Sequence, residues 1–327
     1  MTSANEYDCI IIGAGPAGLS AGLYASRGNL KTLILEKGIV GGQLQVTHEI
    51  ENYPGMDHMT GPQISDAMEE QTKRFGCDVI TNEGVTAVDL KAQPKKIVCG
   101  EKTYYAKSVI IASGSDHNHL GVPGEEELGG KGVSYCAVCD GAFFKEKNLV
   151  VVGGGSSAVE EGSFLTKFAS KVTLIHRRDS LRAERILQNR FIKNPKTDII
   201  WDTVVESING DMLGVTSVTI KNTKTGETSE FPCDGVFIYV GLSPNTQFLD
   251  GSVKIDGAGK VQSNFKMETN IPGVYVAGDI RDTPLKQAVT AASDGSLAAT
   301  MAIGFVESLE DEDVPVGSKE PSEVGGY

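Results

Sequence analysis

Residues 7–18 read YDCIIIGAGPAG, an apolar and β-branched run that ends in three spaced glycines. The small side chains from Leu19 to Arg27 favour a helix, so the segment predicts a strand, a tight turn and a helix. Glycines let such a turn approach a pyrophosphate closely, and the helix N-terminus offers it unpaired N–H groups. The next predicted strand, Thr32 to Leu35, ends at Glu36, whose carboxylate can accept from ribose hydroxyls. The pattern predicts a dinucleotide site at Gly13, Gly15, Pro16, Ala17, Gly18 and Glu36.

A second unit of the same design lies in the middle of the chain. A strand is predicted from Leu149 to Val152, and it is followed by a turn at residues 153–158, which read GGGSSA. A helix from Val159 to Phe168 and a strand from Val172 to Ile175 are predicted to follow. The chain therefore contains the nucleotide-binding pattern twice.

The two units differ at the position that contacts the ribose. Glu36 follows Gly13 by 23 residues, whereas the same interval after Gly153 reaches His176. Arginines come next in place of an acid, and such a cluster can bind the 2′-phosphate of NADP without a carboxylate to repel it. The second unit is predicted to bind NADPH through Gly153, Gly155, Ser156, Ser157, His176, Arg177, Arg178 and Arg182.

Two units with different ribose chemistry indicate two dinucleotides. FAD in the first unit and NADPH in the second is the most economical assignment, and it implies a hydride path between them. A chain of 327 residues has room for two such domains. The expected fold is α/β, with two Rossmann-like domains of the kind found in flavoproteins that bind two dinucleotides.

A cysteine pair lies between the two units. Residues 134–141 read SYCAVCDG, and Cys136 and Cys139 at a predicted helix start can close a small ring or form thiolates. No second pair with this spacing exists, so no metal site is predicted. Asp140 is compatible both with proton transfer and with capping the helix. The remaining cysteines are expected to be free thiols: Cys9, Cys77, Cys99 and Cys233.

This cysteine motif resembles that of the low-molecular-weight thioredoxin reductases. Further motifs of that family recur along nearly the whole chain, at residues 41–43 (GGQ), 111–114 (IASG), 176–179 (HRRD) and 273–279 (GVYVAGD). The resemblance implies that the FAD site also includes Gly42, Gln43, Asn52, Gly114, Gly278, Asp279, Lys286, Gln287 and Ala288.

The resemblance also implies that one domain interrupts the other. Residues 1–117 and 248–327 would form the FAD-binding domain, and residues 118–247 an inserted NADPH-binding domain that carries the cysteine pair. Turn-forming residues near 116–122 and 241–246 fit hinges between them. A last helix is expected from Gln287 to Phe305, followed by a mobile acidic tail over residues 307–327.

By analogy with the family, NADPH would reduce the flavin, the reduced flavin would reduce the Cys136–Cys139 disulfide, and Cys136 would attack the disulfide of thioredoxin. Cys139 would face the flavin and Asp140 would supply or receive the proton. A ferredoxin-fed or oxygen-using dithiol flavoenzyme would share the fold but needs no NADP site. A catalytically idle, redox-sensing flavoprotein is a further alternative.

Charge and composition limit the partners. The net charge of −13 disfavours nucleic acid and anionic membrane surfaces. The sequence has no apolar stretch of transmembrane length and no signal peptide at its start, so a cytoplasmic protein is expected. We expect thioredoxin or a thioredoxin-like protein as the partner, and a homodimer.

Overall fold

The computed structural model describes residues 5–47, 50, 52–56, 59–249 and 251–312. Within those residues the α-helices are α1 (Pro16–Arg27), α2 (Gly61–Arg74), α3 (Ala137–Asp140), α4 (Ser156–Leu165), α5 (Arg185–Lys193) and α6 (Ala288–Glu312), and 3-10 helices cover Gly42–Val46 and Gly141–Phe144. The strands are β1 (Glu6–Ile12), β2 (Thr32–Leu35), β3 (Asp78–Ile80), β4 (Ala87–Asp89), β5 (Lys95–Cys99), β6 (Lys102–Ile111), β7 (Ser115–His117), β8 (Val133–Ser134), β9 (Asn148–Gly153), β10 (Lys171–Ile175), β11 (Thr197–Ile200), β12 (Thr203–Asp211), β13 (Gly214–Asn222), β14 (Thr228–Pro232), β15 (Gly235–Tyr239), β16 (Leu242–Pro244) and β17 (Val274–Val276).

The first sheet has the order β3-β2-β1-β6-β5-β4, and β17 pairs with β6. Strand β1 is parallel to both of its neighbours and is covered on both faces, which explains its unbroken apolar run. Ile11 packs in one core with residues of α1 and α6, whereas Ile10 and Ile12 pack in another on the opposite face. The first glycine turn follows β1 directly, so the sheet fixes its position.

The second sheet has the order β11-β10-β9-β15-β8 and is parallel throughout. Its strands lie in the chain between β6 and β17, so the second nucleotide unit interrupts the first sheet. An antiparallel sheet, β12-β13-β14, shares an apolar core with it. The expected α/β fold with two Rossmann-like units is confirmed.

Two short strands join the units. Strand β7 pairs in antiparallel fashion with β16, and the Asn118 N–H donates to the Gly241 carbonyl at 2.9 Å. The two segments that the sequence indicates as hinges therefore run side by side.

Several element ends differ from the predicted ones. Helix α4 runs from Ser156 to Leu165 rather than from Val159 to Phe168, because the serines of the turn already form its first helical turn. Helix α6 extends to Glu312 and so includes Glu307, where the tail was expected to begin. Val306 is 1% exposed in the core, and no proline or glycine interrupts the residues that follow it up to Glu312. The rest of the predicted tail, residues 313–327, lies outside the described residues.

Helix α6 also passes a test of length and composition for a membrane span, over Ala288–Leu309, which the sequence analysis did not anticipate. Its small residues Ala298, Ala299 and Ala302 are fully buried in the core shared with α1. A third of the apolar segment is buried, and its buried face packs against α1 and the first sheet.

Candidate active site

The first glycine turn is tightly closed. A Cβ on Gly13, whose φ is +105°, would lie 2.4 Å from the Ala112 carbonyl oxygen, and one on Gly18 would lie 1.8 Å from the Gly13 carbonyl oxygen. Both positions therefore exclude a side chain. Pro16 opens α1, where its fixed φ fits the first helical residue, and Ala17 is buried behind it. The N-terminus of α1 follows the turn directly, which is the arrangement that a pyrophosphate requires.

Glu36 lies at this turn. Its carboxylate accepts from the Ala14 N–H at 2.7 Å and from the Gly38 N–H at 2.9 Å. Two backbone donors thus fix the orientation of the carboxylate at the end of β2, beside the position that a ribose would take.

The other residues predicted for the first site lie near the same end of the sheet. A Cβ on Gly42 would lie 3.2 Å from the Gly15 Cα, and one on Gly278 would lie 3.0 Å from the Ala17 Cβ. Gln43 donates to the Ser115 carbonyl at 2.9 Å, next to Gly114.

Two more predicted contacts come from distant parts of the chain. The Asn52 amide donates to the Gln287 side-chain oxygen at 3.0 Å, just before α6 begins at Ala288. Burial raises the pKa of the Asp279 carboxyl, and nearby Lys286 acts against that rise. A glycine-lined surface with amide, carboxylate and lysine side chains around it fits the pyrophosphate and ribityl portions of FAD.

The second glycine turn has a different third residue. A Cβ on Gly153 would lie 2.5 Å from the Tyr239 carbonyl oxygen, but Ala158 takes the place that Gly18 has in the first turn. Ser156 begins α4, and its hydroxyl accepts from the Glu184 N–H at 3.2 Å. Ser157 is exposed, as a ligand-facing residue must be before binding.

His176 is a packing residue in this structure. Its ring is 5% exposed, with Nε2 3.0 Å from the Ser180 carbonyl oxygen. A Cβ on Gly154 would lie 2.2 Å from the ring, so the imidazole lies directly against the turn. The Arg182 N–H donates to the Gly154 carbonyl at 2.8 Å.

The three predicted phosphate-binding arginines, Arg177, Arg178 and Arg182, are exposed. No ion pair joins any of them to a carboxylate in the described part of the chain. Their guanidinium groups are thus available to an anion at the end of β10.

Cys136 and Cys139 form a disulfide, with their Cα atoms 5.4 Å apart, as the sequence predicted. Cys136 precedes α3, and the Cys139 N–H points at its Sγ at 3.0 Å. The Ala137 N–H donates to the Tyr239 hydroxyl at 2.9 Å, which holds the start of α3 against β15. Asp140 ends α3, and its side chain makes no capping hydrogen bond. The other four cysteines are free and buried, as expected.

The disulfide helix faces the first unit. Helix α3 lies against the 3-10 helix Gly42–Val46, which carries two of the residues predicted to contact FAD. The structure therefore brings the cysteine pair and the first nucleotide site together, although they belong to different sheets.

Sequence reasoning missed a polar cluster next to Cys136. The Tyr135 hydroxyl lies 2.5 Å from a Glu125 carboxylate oxygen and 2.7 Å from His119 Nδ1. Although burial opposes it, hydrogen bonds from Tyr135 and from three backbone N–H groups lower the pKa of Glu125. Since the phenol proton goes to this carboxylate, His119 Nδ1 must carry the hydrogen of the second contact. Only the place of Tyr135 beside Cys136 could have pointed to this cluster from the sequence.

Comparison with known proteins fits this geometry. The pattern of the pyridine nucleotide-disulphide oxidoreductases matches residues 7–295, so the chain belongs to that class of enzyme. It is 50% identical over 311 residues to the thioredoxin reductase of Bacillus subtilis, across 95% of this chain and 98% of that protein. The structure of Lactococcus lactis thioredoxin reductase in its FR conformation is 46% identical, covers 92% of this chain and 99% of its own, and superposes with a TM-score of 0.90. That of Streptococcus pyogenes, also 46% identical, covers 94% and 100% with a TM-score of 0.63.

The chain belongs to the thioredoxin reductase family, as its motifs predicted. It is an oxidoreductase, and its family implies that it binds a flavin and a pyridine nucleotide.

Proposed function

We propose that this enzyme is an NADPH-dependent, FAD-containing reductase of the thioredoxin disulfide. The observation that carries the proposal is the position of the Cys136–Cys139 disulfide, on a helix that lies against the Gly42–Val46 segment. A dithiol in that place can take electrons from a flavin held by the first unit and can give them to an external disulfide.

FAD would be held by the first glycine turn, Glu36 and the residues gathered at the same end of the sheet. When bound, FAD would accept hydride from NADPH and transfer two electrons to the disulfide. The chain's part is to orient the cofactor: the N-terminus of α1 would face the pyrophosphate, Glu36 would accept from the ribose, and Asp279 would bind the ribityl portion.

NADPH would be held by the second turn, with Arg177 and Arg178 on the 2′-phosphate and Arg182 beside them. This assignment is supported by the exposure of the arginines. It is also supported by the absence of an acid at position 176, which corresponds to Glu36 of the first unit. The buried ring of His176 packs against the turn at Gly154, so the exposed arginines rather than the imidazole would contact the ligand.

Reduction of the disulfide takes two electrons and two protons and yields two thiols. We assign the attack on the thioredoxin disulfide to Cys136, because the Cys139 N–H aimed at its Sγ stabilises negative charge on that sulfur. The Cys136 thiolate would form a mixed disulfide and release one thioredoxin thiolate. The Cys139 thiolate would then attack Cys136 Sγ, release the second thiolate and restore the disulfide. Asp140 would exchange the proton with Cys139.

We further propose that residues 118–247 form the NADPH domain and move as a unit relative to residues 1–117 and 248–327. The side-by-side strands β7 and β16 fit a double hinge. The two relatives of equal identity but very different TM-scores support such movement, because similar sequences with one fold should otherwise superpose equally well.

We also propose that the enzyme is a homodimer in the cytoplasm. Its substrate would be thioredoxin or a thioredoxin-like protein. An open cavity of about 380 Å³ between α1, α2 and the start of α6, bordered by the 43%-exposed Tyr24, offers a surface for a second copy. The net charge of −13 supports neither nucleic acid nor an anionic membrane as a partner.

Anaerobic titration of the FAD-loaded enzyme with NADPH, followed by oxidised thioredoxin, tests the function. We expect NADPH to bleach the flavin and thioredoxin to restore its absorbance. Failure of NADPH to bleach it would favour the ferredoxin-fed or the idle alternative. The Cys139→Ser variant should still be bleached by NADPH but should no longer reduce thioredoxin. Cys99→Ser, at a buried free thiol, is the matched control and should retain both steps.

A further inference from the structure

The β13–β14 hairpin, which is not part of the second unit's parallel sheet, is connected to the predicted 2′-phosphate site. The turn between β13 and β14 contains Thr223, whose N–H and hydroxyl donate to the Asp202 carbonyl at 2.6 and 2.9 Å. The Asp202 N–H in turn donates to the Arg178 carbonyl at 3.2 Å. The hairpin, the turn after β11 and the arginine segment are thus connected by consecutive hydrogen bonds.

Two carboxylates lie in this connected region, and one lysine contacts both. Lys224 Nζ is 2.9 Å from an Asp202 carboxylate oxygen and 3.7 Å from one of Asp179. Hydrogen bonding to Asp202 raises the pKa of Lys224, so the ammonium stays charged. Asp179 directly follows Arg178 in the chain, yet its ion pair is with the lysine of the hairpin.

The distribution of charge has a direct effect on an incoming phosphate. A 2′-phosphate carries nearly two negative charges, and unpaired carboxylates beside it would repel it or compete for the guanidinium groups. Lys224 forms an ion pair with both carboxylates and neutralises their charge.

We propose that Lys224 is a specificity-determining residue that favours NADPH over NADH. It acts by pairing with Asp179 and Asp202, so that Arg177 and Arg178 remain available to the 2′-phosphate. The inference rests on the proposed NADPH preference of the second unit. NADH lacks the phosphate, so its binding should not depend on Lys224.

The test compares Lys224→Met with wild type as full-length, FAD-loaded enzymes. We expect the KM for NADPH to rise about three- to tenfold, with kcat and the KM for NADH unchanged. Calorimetry should show the same loss for binding of 2′,5′-ADP and none for 5′-AMP, which differs from it only by the missing 2′-phosphate. The rise in the KM for NADPH and the loss of 2′,5′-ADP affinity should both shrink at high ionic strength.

Two further variants separate charge from structure. Lys221→Met removes a lysine of the same hairpin that pairs with Glu206 at 2.9 Å, and it should leave both nucleotides unaffected. Adding Asp179→Asn and Asp202→Asn to Lys224→Met should restore NADPH binding to within about twofold, because both unpaired carboxylates are then gone.

Two results would overturn the inference alone. One is a wild type that prefers NADPH together with a Lys224→Met variant whose KM for NADPH is unchanged, and the other is an equal loss of affinity for 2′,5′-ADP and 5′-AMP. A wild type that uses NADPH and NADH equally would overturn the proposed function, and this inference with it.

Discussion

The two glycine turns of this chain are built on one plan but are closed to different degrees. In the first, α1 comes so close to the turn that no side chain fits at Gly18, whereas the second has a buried Ala158 at that place. Beside the turn, the first unit has a carboxylate bound to backbone N–H groups and the second has the imidazole ring of His176. The two copies thus share the strand, the turn and the helix but differ in the side chains that surround the turn.

The largest effect should come from adding a methyl group to the tighter turn. Gly18→Ala places a Cβ 1.8 Å from a backbone oxygen, so the turn must open, at a cost of roughly 3 kcal/mol or more. We expect the flavin content of the purified protein to fall by about tenfold or more, measured as the ratio of flavin to protein absorbance.

Ala158→Gly is the matched change in the second turn. It should lower the free energy of unfolding by only about 1–2 kcal/mol and leave the flavin content intact. Normal flavin content in Gly18→Ala would mean that the two turns are not closed to different degrees.

A smaller effect should appear where the two turns are equally open. Apart from the chain neighbours, no atom of the described residues lies within 4 Å of a Cβ on Gly15 or on Gly155, and both residues have an extended backbone that alanine adopts. Each alanine variant should therefore fold normally and obstruct only its own ligand. Gly155→Ala should raise the KM for NADPH about tenfold at full flavin content, and Gly15→Ala should weaken FAD binding without changing 2′,5′-ADP affinity. A change in melting temperature of the apoproteins would contradict this explanation.

The smallest effect concerns the helices that follow the turns. Eight residues after the first glycine, α1 has the buried Ala21, whereas α4 has Glu161, whose Oε2 is buried and has no partner among the described residues. Burial, reinforced by Glu160, raises the pKa of Glu161 to about 8. Because an unfolded glutamate titrates near 4.3, the folded state holds the extra proton between these values, and stability falls as the pH rises from about 4.5 to about 8.

Glu161→Gln stays neutral and should remove this dependence. We expect its free energy of unfolding to exceed that of wild type by about 2 kcal/mol at pH 9 and to match it near pH 4.5. Denaturant titrations at several pH values would measure this difference. If the free energies of unfolding of the two proteins changed with pH in parallel, Glu161 would be ionised in the folded state.

The repeated unit, the glycine turns and the cysteine pair could be predicted because each depends on residues close together in the chain. The strand Thr32–Leu35 was predicted to the residue. Glycine spacing and apolar runs are local signals, and they identify the ends of strands where ligands bind.

Features that depend on the packing of distant segments could not be predicted. Glu160 and Glu161 are neighbours, and only the packing of α4 determines that the second is mostly buried. The chain between His119 and Tyr135 brings His119 and Glu125 to the Tyr135 hydroxyl, and this segment carries no motif. Likewise, the contact of Lys224 with Asp179 depends on how the antiparallel sheet packs on the parallel one.

Tyr239 contacts both the second nucleotide turn and the helix that carries the disulfide. Its carbonyl oxygen lies against Gly153 in the nucleotide turn, and its hydroxyl accepts the Ala137 N–H beside the disulfide. We therefore expect the second nucleotide turn and the disulfide helix α3 to move together. The domain movement proposed above would thus carry the nucleotide turn and the disulfide as a pair.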